Sequence, residues 1–412
     1  MARFKLAESY FLKGMVVTLA LLGIKVIFEQ FEASHRLEEK TYTFLMQSVF
    51  DKPKDPPRVV VLDISHLPGG TKDANGRLIP TPRKDLLDLI HALVPIQPKA
   101  IGIDIDFSPS RDGLISRSDP KFFDECLKIS GHIPIKLGVF RTIQEASDGW
   151  LGVEEYRSLA AAVWLPKKSL VHLPVWVSGI DKYSDRMPSM GAALASAAYR
   201  RTTLPDWATY VFETGVERRV MTQRVEENLK ITDRLIDHSF NDTIWNEKIE
   251  RATPEKIAAN AQLLAESIVI LGDTVSARER FEDPRSTGVE RTGVIFHAAT
   301  AQTLAANDLF EFTGKFRYIL DILISALVVT IAGLVKQNKA YELLVILVAA
   351  LGLTLIATAL LFSALRVLWL DFFVVFGLLL LHVPVRATVA RLVARLAGKT
   401  VPQQPAAKEE AK

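Results

Sequence analysis

The chain has 412 residues, with 50 Lys and Arg against 47 Asp and Glu, a formal net charge of +3 and one cysteine. So even a balance carries no electrostatic footprint for nucleic acid, and a lone Cys126 excludes both an internal disulfide and a cysteine-built zinc site. The 49% apolar share is inflated by two apolar blocks, Met15–Phe28 and Tyr318–Val385, and the stretch between them reads as a soluble α/β domain.

Residues 1–13, with Arg3, Lys5 and Lys13, precede the first apolar segment, 14–31. Its weakness is Lys25. A lysine at mid-membrane costs roughly 2.5–3.5 kcal/mol and each Val, Leu, Ile or Phe of Val16–Phe28 returns roughly 0.3–0.6, so the balance is close to zero or mildly favourable. Lys25 lies near the distal end, where it can reach the headgroups, so the segment is read as an uncleaved span. A cleaved signal peptide is the rival reading, against which Glu29 and Glu32 spoil the usual small-residue processing site. Gln30–Phe50, with Phe31, Leu37, Leu45 and Val49 among charges, predicts a helix rising from the span, as a lever or a spacer.

The main domain is placed at 32–315. Arg58–Ser65 (RVVVLDIS), Lys99–Phe107 (KAIGIDIDF) and Ser267–Asp273 (SIVILGD) are continuous apolar runs that predict buried strands. Between the first two, Pro82–Leu93 sets Leu86, Leu87, Leu89, Ile90 and Leu93 along one side of a helix, with proline at its start, where a missing N–H is harmless. Strand, helix, strand with short connections is a βαβ unit, so the predicted fold class is an α/β domain with a mainly parallel sheet. Leu204–Leu264 is the least legible part: Val216–Leu235 is charge-dense and reads as a solvated helix or a loop, and Leu235–Phe240 as an edge strand.

Three apolar segments follow, 316–335 with Asp321 inside it, 341–364, and 366–385. About 20 residues cross the hydrocarbon core, so Leu343–Val385 is roughly twice too long for one helix. It must turn near Ser363–Arg366, with Trp369 just beyond as an interfacial anchor. Together with 14–31 this makes four transmembrane α-helices. Lys and Arg collect before the first (Arg3, Lys5, Lys13), between the second and third (Lys336, Lys339) and after the fourth (Arg386, Arg391, Arg395, Lys399). The positive-inside rule then makes 1–13 and the short tail 386–412 cytoplasmic and the domain extracytoplasmic, against the smaller weight of Lys315, Arg317 and Arg366. In that arrangement Lys25, Asp321 and Asp371 lie at similar depth, where a Lys–Asp contact between spans would remove much of the cost of each charge.

RVVVLDIS, then Pro80–Arg83 (PTPR) opening a helix, then KAIGIDIDF, then SIVILGD followed by Asp283–Pro284, Gly293–Val294 and His297–Ala298 resemble the second type of CHASE domain. The resemblance covers about Phe11–Val385 and extends to the layout of one N-terminal and three C-terminal spans. It implies a sensory domain of a bacterial inner-membrane receptor, of the kind found on cyclases, histidine kinases and serine/threonine kinases. Two features depart from it. The family's W-P-W-P-R stretch is here Ile79–Arg83 (IPTPR), and nothing in Arg386–Lys412 could fold as an enzyme. The expectation is therefore a sensor that passes its signal to a separate signalling protein or through a homo-oligomer, and is not itself an enzyme. The alternative is a structural or adaptor subunit of a membrane complex.

Ligands of open α/β sheets bind at the carboxyl ends of strands, where Asp63, Asp104, Asp106 and Asp273 all fall. Asp104 and Asp106, two apart in one strand, are expected on the same face, where they could hold a cation or an amine. For Asp63 and Asp273 capping of the following turn is the simpler reading. Arg83 and Arg291 are candidates to pair with these carboxylates, and His297, on an apolar run, reads as a hydrogen-bonded core residue or a ligand contact. No nucleophile and base pair, metal-ligand spacing or nucleotide fingerprint is present, so no catalytic residue, metal or cofactor is assigned.

Overall fold

The computed structural model describes residues 16, 19–20, 22–25, 32–48, 56–69, 79–108, 119–140, 149–166, 170–178, 186–199, 212–213, 216–219, 230–276, 279–286, 288–306, 309–312, 314–334 and 339–370. Asp371, most of segments 14–31 and 366–385, and the tail 386–412 lie outside them. The chain divides into two units, Tyr42–Glu311 and the two ends Met1–Thr41 with Phe312–Lys412.

In chain order, α1 (Glu32–Ser48) leads to β1 (Val59–Asp63), α2 (Arg83–Leu93), β2 (Ala100–Asp104), α3 (Asp119–Ser130), β3 (Ile135–Val139) and β4 (Ala160–Ala162). Next come β5 (His172–Ser178), β6 (Met187–Pro188), α4 (Met190–Ala198), β7 (Val216–Arg219), β8 (Lys230–Leu235) and α5 (Phe240–Glu247). The domain closes with β9 (Ile268–Gly272), β10 (Arg280–Glu282), β11 (Glu290–Thr292) and α6 (Gly293–Ala306). The sheet is parallel, as the βαβ pattern predicts, in the order β1-β9-β2-β3-β4. The late strand β9 is inserted between the first two, pairing Ile268 with both Val59 and Ala100.

Successive strand residues point to opposite faces, and here both faces are covered. Val60, Leu62, Ile101, Ile103, Val269 and Leu271 pack with Leu86 and Ile90 of α2 and Phe122 of α3. Val59, Val61, Ala100, Ile268 and Ile270 pack with Leu194 of α4 and Val294, Ile295 and Ala298 of α6. This double burial is the reason the strands read as unbroken apolar runs. Two glycines set how closely the second layer approaches. A Cβ on Gly102 would come 2.7 Å from the Leu194 Cδ1, so α4 lies against the sheet. A Cβ on Gly191 would come 2.7 Å from the His297 carbonyl oxygen, so α4 crosses directly over the second turn of α6.

The charge-dense stretch corrects the sequence reading. Val216–Arg219 and Lys230–Leu235 are paired antiparallel strands of a second sheet, ordered β6-β5-β8-β7. Nor is Leu235–Phe240 an edge strand: β8 ends at Leu235, is flanked on both sides, and gives way to α5 at Phe240. In β8 Ile231 and Leu235 are buried, but so are the charged Asp233 and Arg234, which hides the strand pattern.

In the other unit, α7 (Gly314–Leu334) packs with α8 (Lys339–Leu365). By length and composition, Leu344–Leu365 is the one helix among the described residues able to cross a membrane. Asp321, Ile324, Ser325 and Val328 are buried on α7, and Ile346, Ala350, Thr354 and Thr358 on α8, at helical spacing. The opposite sides expose Ile319, Leu323 and Leu327, and Val348, Ile356 and Leu360. Thr354 and Thr358 donate their hydroxyls to the carbonyls of Ala350 and Thr354, so neither needs water. α8 ends where the length argument requires, with Arg366 in the left-handed region at φ 55° and its N–H donating to the Phe362 carbonyl at 2.8 Å. Trp369, however, is buried in the protein at 1% exposure and is not presented as an interfacial anchor.

Candidate functional site

Each predicted strand-end carboxylate has a definite place, and most are tied into turns. Asp63, 2% exposed, accepts hydrogen bonds from the Ser65 N–H (3.2 Å) and hydroxyl (3.0 Å), the Thr274 N–H (3.1 Å) and the Arg251 N–H (3.3 Å). Burial by itself would raise its pKa, but the bonds from Thr274 and Ser65 outweigh it and hold the carboxyl below its ordinary value. Asp63 is thus a clamp joining β1 to two loops. Asp273 accepts from the N–H groups of Val275 (2.7 Å) and Ser276 (2.9 Å), the cap expected of it. Asp106 lies beyond the end of β2, in a turn where it accepts the Ser108 N–H at 2.9 Å. The strand stops at Asp104, so strand alternation does not extend to Asp106, although both carboxylates act on Glu279.

The two arginines go elsewhere too. Arg83 is buried, donates from Nε to Asp119 at 2.7 Å and lies 4.5 Å over the Phe107 ring. Arg291 pairs with Asp242 and stands 3.8 Å from Asp283. Neither pairs with a strand-end carboxylate.

The residues that do converge are Asp104, Asp273, Asp106, Glu279 and His297. β2 delivers Asp104 and the turn after β9 delivers Asp273; Glu279 stands just before β10, and α6 presents His297 from its second turn. The position is the one expected of a sheet crevice. The helices after β1 and β2 cover one face and α6, after β9, covers the other, so connections diverge around β9. Burial, and then the charge of Asp273, push the Asp104 carboxyl up to about 7. Burial pushes His297 down to about 4, against the opposing effects of Glu279 and of a hydrogen bond with the Val163 backbone. His297 Nε2 is 3.9 Å from Asp104 Oδ1, but burial disfavours both charged forms, so at neutral pH this is not a salt bridge. Glu279 is raised as well, by desolvation and Asp104, with His297 opposing and Asp273 and Asp106 adding to the rise. Among the described residues no Lys or Arg pairs with Asp104, Asp273 or Glu279.

This arrangement favours a bound positive charge or proton. Among the described residues no group of three or more His, Cys, Asp or Glu is placed to hold a metal ion. Glu279 escaped the sequence reading because it sits in a run of mixed charge (ARERFED) with no periodicity to mark it.

A pH signature follows. Between the unfolded carboxyl value of about 3.9 and the folded value near 7, the native state holds a proton on Asp104 that the unfolded state has lost. The stability from Asp104 is full below the lower value and gone above the upper one. His297 acts oppositely, its contribution being present above about 6.5 and lost as pH falls toward 4. Asp104→Asn is therefore expected to melt above wild type at pH 8 and close to it at pH 4, in thermal scans at both values. A variant no more stable at pH 8 would mean that Asp104 is not held in an unfavourable charged state.

In the unit formed by the two ends of the chain, Lys25 and Asp321 are fully buried and form an ion pair, with the Lys25 Nζ 5.5 Å from the Tyr318 ring centroid. The position of Asp371 is not among those described.

Comparisons with curated proteins and with solved structures give no significant match. The family model of the CHASE2 domain matches residues 16–331, which spans the strands, the carboxylate crevice and the Lys25–Asp321 pair. With most of its length matched, the chain belongs to the CHASE2 family of extracytoplasmic sensory domains.

Proposed function

We propose that this chain is a membrane-anchored sensor, not an enzyme, whose extracytoplasmic domain binds a small cationic ligand in the crevice lined by Asp104, Asp273 and Glu279. It relays occupancy through its transmembrane helices to a separate output protein. Family membership supports the sensory role. The observation that carries the ligand class is the raised carboxyl of Asp104 beside Asp273 and Glu279, with no described Lys or Arg to balance them. A bound amine would supply that charge, and its affinity would come from relieving the repulsion between the carboxylates. The four-span arrangement in an inner membrane rests on the charge asymmetry of the short segments around the apolar blocks.

Two measurements test this. Thermal melts of the purified chain at pH 8 against monoamines, polyamines and quaternary amines are expected to reveal a stabiliser. Such a ligand stabilises by about 2.7 kcal/mol at a hundred times its dissociation constant, and Asp104→Asn should abolish the shift. No shift from any amine, or an undiminished shift in the variant, would sink the ligand assignment. Reporter fusions at Asp148 and Lys412 are expected on opposite sides of the membrane. If both report the cytoplasm, the extracytoplasmic sensor reading goes with them.

A further inference from the structure

Both feet of the β10–β11 hairpin stand at the carboxylate crevice. Glu279 immediately precedes β10, and α6, which carries His297, begins directly after β11. The hairpin between them is paired along both strands. Arg280, Phe281 and Glu282 pair with Thr292, Arg291 and Glu290, and the turn is closed by the Asp283 N–H on the Val289 carbonyl (2.7 Å) and the Ser286 N–H on the Asp283 carbonyl (3.0 Å). Phe281 also packs edge-on to Phe296 of α6, with ring centroids 5.8 Å apart.

The turn end of this lever is joined to α1. Thr43 of α1 donates its hydroxyl to the Pro284 carbonyl. A second route runs through buried groups: Asp283 accepts from the Asn241 amide at 3.3 Å, Asn241 contacts His238 Nδ1 at 3.2 Å, and the His238 N–H donates to the Tyr42 hydroxyl at 2.9 Å. Tyr42 in turn donates to the Ile236 carbonyl at 2.8 Å and is fully buried. Arg285 and Arg291 bind Asp242 of α5, which gives the hairpin a fixed pivot. In sequence, α1 lies next to the first apolar segment.

We propose that the β10–β11 hairpin transmits the charge state of the Asp104–Glu279 cluster to α1 through Thr43 and Tyr42. The inference rests on the crevice being the sensing site. Charge there acts on Glu279 from Asp104, Asp106 and Asp273, and on His297 at the other foot, so neutralising the cluster changes the force on both ends of one paired element. The backbone pairing between the two strands couples both feet to the turn. There the described contacts are to α5 and α1.

Amide hydrogen exchange of the full chain in lipid nanodiscs at pH 8 tests the proposal, with Asp104→Asn/Glu279→Gln as the neutralised cluster. Exchange in α1 is expected to change about fivefold or more on neutralisation, the lower end of typical coupling between sites. In a Tyr42→Phe/Thr43→Val background the same neutralisation should still alter the hairpin amides but leave α1 unchanged. Thr43→Val alone serves if the double variant does not fold. An α1 response that survives these substitutions overturns the relay, as does a hairpin that responds while α1 does not. Silence in both elements overturns the crevice as a charge-sensitive site, and the proposed function with it.

Discussion

Reversing Lys25 to aspartate is expected to deplete the protein from the membrane, and adding Asp321→Lys is expected to restore it. The two side chains are fully buried against each other, from sequence positions on either side of the globular domain. Removing one partner of a buried pair leaves an uncompensated charge and typically costs about 3–5 kcal/mol. In an apolar surrounding the remaining carboxylate has little else to offset its desolvation, and Lys25→Asp adds a second one. The double exchange restores opposite charges in the same place. Membrane accumulation and the melting temperature of the detergent-extracted protein should fall together in the single variants and recover together in the double. Equal losses in all three would show that the pair does not hold the helices.

Asp63→Ala is expected to be the most damaging substitution in the globular domain. One carboxylate there accepts from Ser65, Thr274 and Arg251, and so fastens the end of β1 to the loop after β9 and to the segment ahead of the short helix Pro254–Ala259. Alanine leaves the buried Thr274 N–H unpaired, at a cost of about 1–3 kcal/mol, and removes the part-buried bonds from Ser65 and Arg251, so a loss of about 2 kcal/mol or more is expected. The pH dependence identifies the cause. The folded carboxyl lies below its unfolded value, so its stabilisation is present above about pH 4 and is lost as pH falls through the lower folded value. Urea denaturation should show a wide gap between variant and wild type at pH 7 that narrows at pH 3. A gap independent of pH would assign the loss to packing.

These two cases mark how far sequence reading reaches. Periodicity and run length are local properties, and what depends on them was legible: the strands of RVVVLDIS, KAIGIDIDF and SIVILGD, the helix after Pro82, and the turn at Arg366. The capping role of Asp273 was legible for the same reason, since its partners lie two and three residues away. Where charged residues are themselves buried, as Asp233 and Arg234 are in β8, the local signal failed and a paired strand read as solvated.

Partners distant in sequence are a different matter. The chain places its carboxylates at strand ends by itself, because each run of β-branched residues stops where an acid follows. Only tertiary structure decides that β9 enters between β1 and β2, and this insertion brings Asp273 beside Asp104 and sets Asp63 within reach of Thr274. Arg83 meets Asp119 and Arg291 meets Asp242, instead of the strand-end acids, for the same reason. Glu279, which lies between β9 and the hairpin leading to α6, joins the cluster only through that tertiary arrangement. Burial, and with it the raised carboxyl of Asp104 and the lowered imidazole of His297, depends on how many chain segments close over a group, a property no local pattern carries.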